Sequence, residues 1–447
     1  MNFKRYCISL ITVGCLILSG CQSNPSASST ENHQFTIAVI PDTQNMVDYT
    51  RQKSEGFALD GADMFIEHMR YIADNTQANG GDITFVTSVG DVWQHTTDDR
   101  VESAHYSRGL RALKQSTQRN MAEIAERTRQ FELPLAMRGY DILADTGIVF
   151  SVVPGNHDYD NGWKDSHFNP NYDRIEELKG SGGNIVRYDP DILGMLHIGG
   201  LNNFNSVFGN QSKYFKDKKW YVGSFNGGAN SAQIFHAGGY KFLHIGLEMQ
   251  AGDKVLAWAQ SMISKYPGLP TILSTHDFLN THNQRLPNPI LDLVMADPSA
   301  HNSAEDIWQN FISTNDQIFL VLSGHHHGQG YRKDKNKAGN EVYQILSDFQ
   351  GRGQSASPEK GAPVVGIGDG WLRLMKFDTG IDVPTIKVRT YSTHYKKLSV
   401  EQPNYALWYK NQEQPHMSNS EFMKVDHFSI SLIDFKKRFG DPTSSVD

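Results

Sequence analysis

Five short polar clusters in this 447-residue chain carry side chains suited to binding divalent metal ions. They are Asp42-Thr43-Gln44, Gly90-Asp91, Gly155-Asn156-His157-Asp158, His276 and Gly324-His325-His326-His327. Within them the carboxylates of Asp42 and Asp91, the carboxamide of Asn156 and several imidazoles, with no thiolate, form a mixed oxygen and nitrogen donor set that first-row divalent ions accept. Taken singly, each cluster has a plainer reading. An Asp after a strand commonly closes a turn or caps a helix, and an isolated histidine such as His276 is more often a hydrogen-bonded core or loop residue. The His325 to His327 run is more suggestive, because neutral imidazole is the commonest metal ligand. What carries weight is the recurrence of such clusters in one structural position.

That position is the end of a short apolar run. Residues 35–40 (FTIAVI), 83–89 (ITFVTSV), 148–153 (IVFSVV), 271–275 (TILST) and 318–323 (IFLVLS) each have the length and composition of a buried strand, and each stops at one of the clusters. Helical periodicity lies between several of them, over residues 64–75, 255–265 and 305–312. Alternating strands and helices predict a layered α/β fold, in which ligands gather beyond the carboxyl ends of strands. Glycines at 90, 155 and 324 let the backbone turn sharply where those side chains must converge.

Composition narrows the class. With 38% hydrophobic and 20% charged residues the chain is neither disordered nor a polytopic membrane protein, and 42 Lys+Arg against 49 Asp+Glu gives −7, without the basic excess of a dedicated nucleic-acid binder. The first 20 residues read as a signal peptide: Lys4 and Arg5, an apolar stretch from Cys7 to Leu18 that falls short of the roughly 20 residues of a membrane span, then Leu18-Ser19-Gly20-Cys21. Small residues before a cysteine resemble the bacterial lipobox, which implies lipidation of Cys21; a plain secretory signal or an uncleaved anchor are the alternatives. Cleavage there would leave Cys21 as the single cysteine of three, so no disulfides are expected. Residues 21–33 read as a flexible tether. The expected location is exported and lipid-anchored to a bacterial cell envelope, at the outer membrane in a Gram-negative organism.

In content and order the five clusters resemble those of the calcineurin-like metallophosphoesterases, whose blocks are Asp-x-His, Gly-Asp, Gly-Asn-His-(Asp/Glu), His and Gly-His-x-His. Weaker likeness to an exported bacterial subgroup continues through Ser347-Asp348-Phe349-Gln350, residues 370–374 and residues 388–392. The resemblance implies a β-sandwich of two mixed sheets flanked by helices, with two divalent ions (Mn, Fe or Zn) at the strand ends. Asp91 would bridge the ions; one would take Asp42, His327 and Gln44, the other Asn156, His276 and His325. A small phosphomonoester or phosphodiester would be hydrolysed by a hydroxide bridging the two ions, with His157 assisting the leaving group and Asp158 orienting His157. His326 receives no role. Two departures stand out. Gln44 replaces the usual histidine, which should weaken the first site, and Asp91-Val92-Trp93-Gln94-His95 lacks the usual later Asp or Asn, leaving Gln94 or His95 as substitutes or as the start of an ordinary loop. A catalytically weak surface protein that binds metal and acts as a scaffold is the alternative function.

Residues 34–395 are expected to form the catalytic domain, with insertions at about 95–146 and 159–231, and residues 396–447 a C-terminal extension packed on it. A long helix over about 101–131 carries basic residues diluted by Glu102, Glu123, Glu126 and Glu132, which favours a solvated face over a nucleic-acid surface. The rings of residues 159–231, Phe204, Phe208, Tyr214, Phe215, Trp220, Tyr221 and Phe225 among them, could wall a pocket or simply cover the sheets. Residues 226–230 read as a turn joining two strands. The loop bearing His282 and Arg285 is a candidate phosphate contact.

Overall fold

The computed structural model describes residues 33–98, 115–164, 171–180, 189–193, 196–287, 291–296, 300–357 and 365–443. The signal peptide, Cys21, nearly all of the tether and residues 101–114 of the expected long helix lie outside the described residues.

All five apolar runs are strands. The strands are β1 (Gln34–Ile40), β2 (Ile83–Ser88), β3 (Val149–Val152), β4 (Gly162–Lys164), β5 (Leu196–Ile198), β6 (Tyr221–Phe225), β7 (Asn230–Ala237), β8 (Tyr240–Gly246), β9 (Thr271–Ser274), β10 (Ile318–Ser323), β11 (Gly328–Lys335), β12 (Glu341–Asp348), β13 (Trp371–Asp378), β14 (Thr385–Ser392), β15 (Lys397–Leu398) and β16 (Phe428–Ser431). They form two mixed seven-stranded sheets, β15-β14-β13-β1-β2-β3 with β16 paired to β14, and β11-β12-β10-β9-β8-β7-β6, besides a β4-β5 ribbon. β1, β2 and β3 run parallel in the first sheet, as do β8, β9, β10 and β12 in the second. This is a layered α/β fold.

The apolar runs are continuous because both faces of these strands are buried. Phe35, Ile37 and Val39 of β1 point between the sheets, where they share a core with Phe235, Phe242, Ile272 and Leu320. Phe85 stacks on Phe235 across that interface with ring centroids 4.3 Å apart. Ala38 and Ile40 face the other way, onto Met64, Phe65, Met69 and Ile72 of helix Gly61–Asp74 and Ala136, Tyr140 and Leu143 of helix Leu133–Asp145. Helices Asp253–Lys265 and Ala304–Ile307 cover the outer face of the second sheet in the same way.

The helix expected to stop near 131 continues. Helix Gln115–Arg127 passes through a wide π-helical turn, Thr128–Glu132, into helix Leu133–Asp145. Pro134 sits in the first turn of that last segment, where its missing N–H removes no ladder bond. The ring-rich segment also takes one of its two readings: Phe204, Phe208, Tyr214 and Phe215 are buried and pack with Trp93, Tyr140 and Phe150. They cover the first sheet. The Asn226–Gly228 turn joins β6 to β7.

Residues 397–443 supply β15, β16 and helices Tyr405–Glu413 and Asn419–Asp426. Their anchor is Arg352, wholly buried, whose guanidinium donates to both carboxylate oxygens of Glu413 at 2.7 and 2.9 Å and lies over the rings of Phe349 and Tyr409. Removing one partner leaves a buried charge without compensation. Glu413→Ala is therefore expected to cost roughly 3–5 kcal/mol in urea unfolding, and Arg352→Met with Glu413→Leu distinctly less than the sum of the single losses.

Candidate metal centre

The strand ends converge because their loops are tied together by backbone. Thr43 and Gln44 donate their N–H groups to the Asp91 carbonyl at 3.0 and 2.9 Å, joining the end of β1 to the end of β2. Asn156, His157 and Asp158 form a 3₁₀ turn after β3. Two cluster residues, Asp91 (φ 51°) and His325 (φ 70°), occupy the left-handed region, which costs a non-glycine residue about 1–3 kcal/mol and is typical of functional sites. Space is equally constrained. A Cβ at Gly155 would lie 2.2 Å from Asp91 Oδ1 and one at Gly324 2.1 Å from Asp42 Oδ1, so these glycines are required by the approach of the carboxylates.

His276 is the focus. Its Nε2 lies 3.3 Å from Asp91 Oδ1, 3.1 Å from Asn156 Oδ1 and 3.2 Å from His325 Nδ1. Donors about 2.0–2.2 Å from one ion, at tetrahedral or octahedral angles, stand about 3.0–3.5 Å apart, so each of these three distances suits a pair of donors on one ion, and the donor atoms of Asp91, His276 and His325 all lie within 4.8 Å of one another. His276 Nδ1 donates to the Val89 carbonyl at 2.8 Å, which leaves Nε2 as the lone-pair nitrogen facing the other donors when the ring is neutral. Beside this set, Asp42 Oδ2 is 4.0 Å from His276 Nε2 and accepts from His325 N at 3.1 Å. Three buried atoms around the site, Asp42 Oδ1, Gln44 Oε1 and His325 Nε2, have no hydrogen-bond partner. Buried acceptors are nearly always satisfied, and orphans clustered here fit a cation.

Charge is concentrated to match. Burial pushes the Asp42 carboxyl well above its usual range, and Asp348 and Asp91 add to this. Burial and the Asp91 charge raise Asp158 to about 8. Although burial opposes it, the charges of Asp91 and Asp42 raise the His276 imidazole to about 10, whereas burial and the neighbouring imidazoles drive His325 well below its ordinary value.

Several expected roles change. His326, given no role, has its Nε2 3.0 Å from Asp277 Oδ1, while His327 is exposed beside Gly351, the residue after Gln350. Asp158 does not touch the His157 ring; its carboxylate accepts from Val92 N at 2.9 Å and Gly155 N at 2.8 Å, clasping two loops by their backbones. The His157 ring is held instead by the Gln94 carbonyl, which accepts from Nδ1. Gln44 is wholly buried and donates from Nε2 to Asp91 Oδ2 at 3.0 Å and to Gln350 Oε1. Arg285 is spent away from the site, bonded to Glu305, Asp334 and Gln344 and stacked on Trp308, and His282 stacks on His416.

Gln350, to which the sequence pattern gives no role, bridges Asp42 Oδ2 (3.3 Å) and Asp348 Oδ2 (3.2 Å) through its Nε2. Its place in Ser347-Asp348-Phe349-Gln350, at the end of another parallel strand, was the available signal.

A second carboxylate and imidazole group, Asp48, His95 and Glu132, has donor atoms close enough to hold an ion. Its oxygens are already satisfied: Glu132 accepts from three backbone N–H groups and Asp48 from Thr50 and Arg51. It is a hydrogen-bond hub. A cavity of about 350 Å³ lined by Thr36, Tyr71, Ile83, Lys376, Arg389 and Tyr391 opens near the amino ends of β1 and β2, at the opposite end of these strands from the cluster.

The chain matches no protein-family model. It is 24% identical over 309 residues, 68% of its length, to the uncharacterized protein YvnB of Bacillus subtilis (strain 168), and that match covers 18% of YvnB. No described helix is long and apolar enough to cross a membrane.

Metal uptake must compete with a proton. With its pKa raised to about 10, His276 is cationic at pH 7 in the metal-free chain and must become neutral to ligate. Mn²⁺ binding at pH 7, followed calorimetrically in buffers of different ionisation enthalpy, is expected to release about one proton, with affinity rising toward pH 10. Affinity independent of pH would contradict this. The same linkage means that the His276 charge stabilises the metal-free fold below pH 6.5 and that this is lost as pH rises through about 10.

Proposed function

We propose that this chain is a metal-dependent phosphoesterase of the calcineurin-like type. The observation that carries the reading is the gathering of Asp91, Asn156 and His325 donor atoms within 3.3 Å of His276 Nε2, with orphaned acceptors of Asp42, Gln44 and His325 beside them. Two divalent ions would be held by Asp91, Asn156, His276 and His325 on one side and by Asp42 and Gln44 on the second, less complete side. Such ions supply positive charge to the phosphate oxygens and lower the pKa of water.

The remaining chemistry falls to the chain. His157 Nδ1–H is committed to the Gln94 carbonyl, and Nε2, 4.0 Å from Asp91 Oδ2 on a ring 28% exposed, is the nitrogen turned to the cluster. A water oxygen bonds to phosphorus as the ester P–O bond breaks, the departing oxygen takes a proton from His157 Nε2, and the attacking water gives up a proton to solvent, from which His157 regains its own. Asn156 contributes a neutral oxygen that adds no charge against an anionic substrate. The lipobox-like Leu18-Ser19-Gly20-Cys21 supports export and anchoring through Cys21, which places substrate hydrolysis at a cell-envelope surface.

One observation favours the second reading, a metal-binding scaffold. Gln44 commits its amide nitrogen to Asp91 and Gln350, so the Asp42 side of the centre has a carboxamide oxygen, a weaker donor than imidazole, where a catalytic site of this type carries histidine.

The test is turnover of 4-nitrophenyl phosphate and bis(4-nitrophenyl) phosphate by the chain without residues 1–21, after reconstitution with Mn²⁺, Zn²⁺, Fe²⁺ or Mg²⁺. Turnover abolished in Asp91→Ala is expected, and His157→Ala should lower kcat by about 10²–10⁴ on a poorer leaving group. Bound metal without turnover would favour the scaffold.

A further inference from the structure

We infer that Glu132 is a positioning residue that orients His157 through the single peptide unit between Gln94 and His95. The inference rests on the phosphoesterase reading above and adds to it a residue 25 positions upstream in sequence, on another element.

The segment after Asp91 has no regular secondary structure through Thr97, so no ladder fixes the direction of the Gln94 carbonyl. Glu132 fixes it. Its side chain is 0% exposed, and Oε2 accepts from Gln94 N and His95 N at 3.0 Å each. Oε1 takes Tyr49 N at 3.1 Å and His95 Nδ1 at 2.7 Å. In a trans peptide the C=O and N–H point in opposite directions across one plane. The His95 N–H bonded to Glu132 and the Gln94 C=O bonded to His157 Nδ1 are the two ends of the same unit, so the carboxylate and the imidazole face each other across it. A carboxylate on the N–H side polarises the amide and strengthens its oxygen as an acceptor, as expected for chained hydrogen bonds at low dielectric.

Glu132 can reach this place because it closes the π-helical turn Thr128–Glu132, a widened turn of the kind that recurs at functional sites. Tyr49, stacked on the His95 ring at 4.5 Å and capped by Arg127 at 4.0 Å, seals the hub.

The experiment compares Glu132→Ala, Glu132→Gln, His157→Ala and the Glu132→Ala/His157→Ala double variant of the metal-reconstituted chain, with 4-nitrophenyl and phenyl phosphoesters. Glu132→Ala should lower kcat for the phenyl ester by roughly tenfold to hundredfold, a part of the general-acid contribution, with KM and metal content unchanged and a smaller loss on the 4-nitrophenyl ester. Glu132→Gln keeps one oxygen for the two N–H groups and should recover part of the loss. The double variant should lose no more than His157→Ala alone. Fully additive losses, or equal losses on both esters, would overturn the inference. Histidine-selective ¹⁵N NMR reads the contact without turnover: a His157 Nδ1–H signal that shifts or vanishes in Glu132→Gln supports it, and one that is unchanged overturns it. Absence of turnover in the parent chain with that signal responsive to Glu132 would instead strike the phosphoesterase reading and leave the positioning intact.

Discussion

Asp42, Asp91, Asp158 and Asp348 are buried together where the two sheets end, and the repulsion among them is the constraint on which the rest of the centre depends. Like charges at low dielectric cannot all stay ionised without compensation. In the metal-free chain part of it comes from the His276 cation and from N–H donors of His325, Val92, Gly155 and His157. Those donors in turn require the left-handed backbone at Asp91 and His325 and the bare Cα positions at Gly155 and Gly324. Divalent ions would remove the repulsion at its source, and the unpartnered oxygens and nitrogen around the cluster are what such ions would engage.

The strands and the convergence of their polar ends were legible in the sequence for one physical reason. A strand buried on both faces must be apolar throughout, so a polar cluster at its end marks where the chain leaves the core, and five such ends mark one place. Helices Gly61–Asp74 and Asp253–Lys265 were legible from their periodicity. What could not be read was direction. His325, His326 and His327 are adjacent and identical in type, yet the positive φ at His325 sends them to three different surroundings. Asp158 adjoins His157 but bonds backbone, because the tight 3₁₀ turn points its carboxylate back at Gly155. Glu132 lies in a helical stretch that reads as solvated charge, and only the tertiary fold shows its carboxylate wholly buried.

The C-terminal segment belongs to the same argument. Gln350, which bridges Asp42 and Asp348, is followed two residues later by Arg352, and Arg352 is locked by Glu413 from helix Tyr405–Glu413. Arg373, likewise buried, donates to the Asp426 carbonyl at 2.7 Å. The extension therefore pins the β12 loop from behind. Its polar sequence concealed this, because the contacts that count are two buried arginines and a shell of aromatic rings.

The most direct test of the centre is anomalous X-ray scattering from crystals of the chain grown with Mn²⁺. A peak coordinated by Asp91, Asn156, His276 and His325 at about 2.0–2.3 Å is the expected result. Peaks confined to the Asp48, His95 and Glu132 group, or an ordered cluster that stays metal-free while Mn²⁺ binds elsewhere, would contradict the assignment of these five strand ends to a metal centre.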